Sequence, residues 1–142
     1  MNAGHCEFMF IADAKLRDTL QRHYRIIRGT FDKACYPWTT FLAGSSIEAI
    51  LLDGPNANWV KALASPKAPK GNSDIDRWDL ADLIAVSADL GLVPRGVDEL
   101  PHSVVHWRDL TRGTLPDINI EVWKEEARIA IEVLLKIHRW LS

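Results

Sequence analysis

The stretch from Pro37 to Gly54 constrains the fold more than any other part of the chain. Projected at about 100° per residue, Phe41, Leu42, Ile47, Ala49, Ile50, Leu51 and Leu52 spread round the whole circumference of a helix instead of along one stripe. A helix of that kind is packed on every side, so the remaining elements must surround it. Ala43, Gly44, Ser45 and Ser46 are small and let another element approach the helix backbone closely. Pro37 suits a first helical turn, and Gly54 stands where a left-handed C-terminal cap belongs. Glu48 alone interrupts the apolar and small residues. A carboxylate at that depth requires a cationic or hydrogen-bonding partner. Arg108 is the first choice, with Arg25 or Arg28 behind it, and breaking one side of such a buried pair is expected to cost ~3–5 kcal/mol.

Helical patterns flank this segment on both sides. Leu16, Leu20, Tyr24, Ile27 and Phe31 repeat at spacings of one helical turn and place a first helix over about Phe8 to Lys33. Its other surface carries Lys15, Arg17, Arg22, Arg25, Arg28 and Lys33, opposed there only by Asp18 and Asp32. Two readings of that basic face stand side by side: a contact surface for phosphates, or a solvated face whose arginines pair with acids on other helices. After Gly54, Trp59 to Leu63 forms a short helical piece that packs its tryptophan, and about Ser65 to Asn72 is an exposed loop. A third helix begins at a Ser73 cap and stops at Gly91. Leu80, Leu83, Ile84 and Ser87 line its inner face with Trp78 near the start, and Asp79, Asp82 and Asp89 lie elsewhere on its surface. Val97 to Leu110 reads as a shorter fourth helix with Pro101 in its first turn. The last helix runs from about Ile120 to Leu141, with Trp123, Ala127, Ala130, Leu134, Ile137 and Leu141 inward and a Glu132–Lys136 pair outward.

No segment alternates apolar and polar residues over a strand's length, and no internal repeat is present. The pattern predicts an all-α, up-and-down bundle of about five helices, forming a single domain over residues 1–142. Hydrophobic residues at 47% and charged residues at 25% are those of a soluble globular protein, and no apolar run approaches the ~20 residues that cross a bilayer. Without a secretory signal at the start, a cytoplasmic location with no membrane partner is expected. Cys6 and Cys35 have no metal-like spacing, and a net charge of -2 exerts no global pull on nucleic acid, so any such contact must come from a local patch.

The order of elements carries a resemblance. The helix Leu42-Ala43-Gly44-Ser45-Ser46-Ile47-Glu48-Ala49-Ile50-Leu51, then Trp78-Asp79-Leu80-Ala81-Asp82-Leu83-Ile84 with Gly91-Leu92, then Arg108-Asp109 and a final helix with Ala127 and Ala130, resembles the HEPN superfamily of prokaryotic all-helical domains. The resemblance covers most of the chain from about Leu16 onward. Many members of that superfamily are metal-independent ribonucleases of toxin–antitoxin and anti-phage systems. Their signature is an arginine followed a few residues later by a histidine, often with a polar residue after the first and proline after the second. Histidine moves protons between the 2′-hydroxyl and the scissile phosphate, and arginine stabilises phosphate charge.

The matching place here reads Arg112-Gly113-Thr114-Leu115-Pro116. Glycine replaces the polar residue, the spacing is short by one, and Leu115 stands where histidine belongs. The resemblance therefore implies a catalytically degenerate domain that binds RNA, a nucleotide or a partner protein such as a cognate antitoxin, with Arg108 and Arg112 as contact arginines, and the basic face of the first helix adds Arg22 and Arg25 as candidates. A second reading keeps an active metal-independent ribonuclease using Arg112 with Arg108 and His106. A third is a structural homodimerisation module. Trp107, Leu110 and the apolar residues near Leu115 exceed what a short fourth helix buries alone, and HEPN-like domains commonly pair through this region. A homodimer with Arg108 and Arg112 near its two-fold cleft follows. His102 and His106 stand one turn apart without a third ligand in sight, so no metal and no cofactor are expected. Arg17 and His23 also fit the loose arginine-to-histidine spacing, but about 120° apart round the first helix.

Overall fold

The computed structural model describes residues 8–111 and 119–142, and every described regular element is helical. They are α1 (Ala14–Asp32), α2 (Tyr36–Ala57), α3 (Trp59–Ala64), α4 (Leu80–Asp89), α5 (His102–Val105) and α6 (Ile120–Leu141), with single 3-10 turns at Ile75–Arg77, Val97–Glu99 and Trp107–Thr111. The architecture is an all-α bundle, and α2 is its axis: α1, α3, α4, α5 and α6 all pack against it. Ala43, Ile47, Ile50 and Leu51 of α2 are buried together with Leu20 and Ile27 of α1, Leu83 and Val86 of α4, and Leu134 and Ile137 of α6. The all-round apolar pattern of α2 is thus satisfied by neighbours on every side. Among the described residues, no helix is long and apolar enough to cross a membrane.

Several boundaries differ from the expectation, each for a local reason. The first helix starts at Ala14, not Phe8, because the Asp13 carboxylate accepts the Lys15 and Leu16 amides at 2.9 and 3.3 Å and fixes the first turn there. The Phe8 to Ile11 segment is buried by another route, since Phe8 and Phe10 both meet the His138 ring of α6 edge-on. Gly54 does not end α2, which continues through Pro55 to Ala57. Side chains take over the task of a glycine cap: the Asn56 Nδ2 donates to the Leu52 carbonyl and the Asn58 Nδ2 to the Gly54 carbonyl, both at 2.9 Å.

The third expected helix divides in two. Asp74 caps the turn Ile75–Arg77, and Asp79, accepting the Asp82 amide at 2.8 Å, starts α4 afresh. Trp78 lies buried between them with its indole N–H on the Asn72 carbonyl. The fourth divides in three: Pro101 removes an amide donor before α5, and His106, at φ -105° and ψ 39°, ends α5 before the Trp107 turn. Trp59 does not pack inward; it is exposed, and Ala62 is the buried residue of α3. On α6, Lys136 does not pair with Glu132 as expected but donates to the Arg95 carbonyl, while Arg128 bridges Glu125 and Glu132. Leu141, expected inward, is partly exposed.

Candidate functional site

Two surfaces of the bundle gather the residues singled out by sequence, and they lie on opposite sides of α2. The first centres on the turn Trp107–Thr111. Phe41, Gly44 and Glu48 fall within roughly 60° of one another on α2 and face this turn. The turn comes unusually close because position 44 has no side chain: a Cβ there would stand 2.6 Å from the Trp107 Cβ. With the backbone so near, the Arg108 guanidinium reaches Glu48 with both terminal nitrogens, Nη1 to Oε1 at 3.1 Å and Nη2 to Oε2 at 2.7 Å. The Arg108 Cζ also sits 4.7 Å from the centre of the Trp107 ring.

Burial pushes the Glu48 carboxyl above its ordinary range; the Arg108 charge pulls it back, and Asp79 at the start of α4 pushes it up again. Asp82 is raised as well, first by burial and then by Asp79. Arg108 is therefore tied to one buried carboxylate, with Asp79 close to that pair, while its own side chain stays more than half exposed. His106 lies exposed beside this group with its ring against that of His102, centroids 4.1 Å apart and planes tilted by 40°. Among the described residues, no group of three or more His, Cys, Asp or Glu is placed to hold a metal ion. Arg112 and Leu115 lie outside the described residues.

An aromatic row that the sequence reading did not assemble completes this surface. Trp38, with 60% of its surface exposed, stands edge-on to Phe41 at 5.7 Å, and Phe41 stands edge-on to Trp107 at 5.2 Å. Trp38 and Phe41 are one turn apart on α2, but Trp107 arrives from a distant part of the chain.

The second surface is the outer face of α1. The Thr30 hydroxyl meets the Thr39 hydroxyl at 2.8 Å and Phe31 packs on Tyr36, which places α1 roughly 160° round α2 from the Trp107 turn. Arg22 and Arg25 therefore do not join Arg108 in one patch. They line a shallow trough along α1 with Lys15, Asp18, Thr19 and Gln21. Among the described residues, none of Lys15, Arg22 and Arg25 is in an ion pair. Asp79, Asp82 and Asp89 of the α4 segment, the acids on another helix nearest to hand in the sequence as partners for this basic face, make other contacts: Asp79 accepts the Asp82 amide, Asp82 meets Asp79, and Asp89 accepts from the Ser65 hydroxyl. His23 beside them is held below its ordinary value, first by burial and then by the Arg22 charge. No protein-family model, curated protein or solved structure matches the chain.

Proposed function

We propose that the protein is a catalytically degenerate, HEPN-like helical domain that binds single-stranded RNA through the outer face of α1. What supports this reading is the trough of Lys15, Arg22 and Arg25, three exposed cations around a single carboxylate, Asp18, and in no ion pair among the described residues. Phosphates are the complementary ligands for such a row. Ten residues of α1 between Lys15 and Arg25 span about 15 Å, which favours a polymer over a single nucleotide. The Trp107 face suits RNA less well, because the Arg108 charge is spent on Glu48 with Asp79 nearby. The same commitment of Arg108 speaks for binding without turnover.

Fluorescence anisotropy with a labelled single-stranded RNA separates the two faces. Arg22→Glu with Arg25→Glu is expected to weaken binding at least tenfold, and Arg108→Ala to leave it within a factor of two. The reverse pattern would move the RNA site to the Trp107 face. RNA cleavage abolished by His106→Ala would favour the alternative, an active ribonuclease using Arg112, Arg108 and His106.

A second reading concerns partners and rests on the row Trp38, Phe41, Trp107 and Arg108, exposed at Trp38 and Arg108 and half-buried between them. Tryptophan, other aromatics and arginine are the residues that dominate protein interfaces. This row is the seam through which two copies of the domain would pair. An antitoxin or another protein seated there is the competing outcome, recognised by a monomeric mass for the protein alone.

A further inference from the structure

The trough along α1 holds one residue that phosphates do not explain. Asp18 lies at its centre: Lys15, Gln21, Arg22 and Arg25 all fall within roughly 60° of it round the helix. A carboxylate there repels the phosphates that the three cations attract. Local structure does not account for it. The cap of α1 is Asp13, so Asp18 has no task at the helix start. Arg22 stands one turn further on, the favourable order for an ion pair, but its Nη2 turns instead to the Thr19 hydroxyl at 3.4 Å. Among the described residues, the exposed Asp18 carboxylate makes no ion pair and no hydrogen bond.

An ionised carboxylate only accepts hydrogen bonds, and its two oxygens suit a pair of donors set side by side. Among the RNA bases, guanine alone presents such a pair, N1–H next to an N2 amino hydrogen. Adenine and cytosine place a ring-nitrogen acceptor beside their amino donor, and uracil flanks its one N–H with carbonyl oxygens. A carboxylate set against any of those edges faces a lone pair. Guanine also carries the O6 acceptor beside N1–H, and Gln21, which lines the trough one turn from Asp18, has an amide donor to offer it. The space suffices: a guanine ring of about 11 heavy atoms, at roughly 30 Å³ each, needs roughly 330 Å³, and the trough measures about 560 Å³. The flat guanidinium of Arg22 supplies a face on which a base stacks. We infer that the trough reads guanine in single-stranded RNA, with Asp18 accepting from N1–H and N2–H while the cations hold the flanking phosphates. The inference rests on α1 being the RNA-binding face.

The test uses the full chain and short labelled oligouridines that carry one central guanosine, adenosine, cytidine, inosine or uridine. The guanosine strand is expected to bind about tenfold tighter than the all-uridine strand, the scale of one bidentate base contact. Inosine, which keeps N1–H and lacks the N2 amino group, should lose most of that preference. Asp18→Asn carries its own signature, because Asp18 is exposed and its replacement leaves the fold intact. It should cut the guanosine preference to about twofold or less, and it should tighten the all-uridine strand, since a negative charge has left the trough. Equal affinity for all strands, inosine bound as tightly as guanosine, or a guanosine preference untouched by Asp18→Asn would overturn the guanine reading and leave α1 as the RNA face. No RNA binding, or binding indifferent to Arg22→Glu with Arg25→Glu, would overturn both.

Discussion

Trp107 lies against the backbone of Gly44 so closely that no other residue fits at position 44 without movement, and this contact sets the depth at which Arg108 meets Glu48. Gly44→Ala gains helix propensity of up to about 1 kcal/mol but drives a methyl into the Trp107 Cβ, Cγ and Cδ1. The expected balance is a net loss of about 1–3 kcal/mol, as for other overpacked contacts. Urea denaturation measures it, and an unchanged midpoint would show that the Trp107 turn yields freely.

The Glu48–Arg108 pair is asymmetric, and its mutants should be too. The Glu48 side chain is 7% exposed and that of Arg108 57%. Removing Glu48 leaves a guanidinium that water already reaches, so Glu48→Ala is expected to cost about 1–2 kcal/mol, less than the ~3–5 kcal/mol of a fully buried pair. Removing Arg108 strands a buried carboxylate, so Arg108→Ala should cost more, about 2–3 kcal/mol. Paired urea melts at pH 7 give the order; the opposite order would mean that Glu48 gains water when Arg108 is gone.

Acidity probes the same carboxylate. Because burial raises Glu48 in the folded state above its usual value of 4.5, the native protein holds more protons than the unfolded chain between the two values. The contribution of Glu48 is therefore fullest below about 4.5 and is lost as pH rises through the folded-state value; Asp82 acts with the same sign. Glu48→Gln cannot titrate and should fall less steeply than the parent from pH 4 to 7. Parallel stability curves would show that Glu48 contributes no pH dependence.

Ala34 holds φ 61° at the end of α1, a left-handed conformation that suits glycine. Its amide and that of Cys35 close the helix on the Phe31 and Thr30 carbonyls, so the conformation is imposed by capping. Ala34→Gly is expected to stabilise by about 1 kcal/mol, read as a higher urea midpoint. A lower one would place the strain elsewhere.

The interface reading has a mass to check. A chain of 16.0 kDa that pairs through the aromatic row should scatter light as twice that mass at micromolar concentration. Trp38→Ser with Phe41→Ser should return it to the monomer. A monomeric parent would remove the homodimer from the account.

The parts of the fold that were legible in the sequence are those where one local signal acts without competition. The stripe from Trp123 to Ile137 has a single apolar face, and α6 runs over the expected span. A lone carboxylate in an all-apolar helix demanded a cation, and the Glu48–Arg108 fork followed from that demand. Where signals competed, local reading failed. Phe8 to Ile11 are as apolar as a helix start, but the Asp13 cap decides the boundary. Gly54 and Pro55 read as a stop, but Asn56 and Asn58 satisfy the carbonyls that a stop would have left bare. The aromatic row was invisible because Trp107 joins Phe41 only once the chain has folded, and the basic face of α1 could not be judged until its expected acidic partners were found engaged elsewhere.

The salt dependence of RNA binding tests the central claim most directly. If Lys15, Arg22 and Arg25 each displace a counterion from a single strand, a plot of log affinity against log salt should fall with a slope of about -2. Arg22→Ala should reduce that slope by about 0.7. Affinity independent of salt, or no RNA binding even at low salt, would contradict the assignment of α1 as a phosphate-binding face.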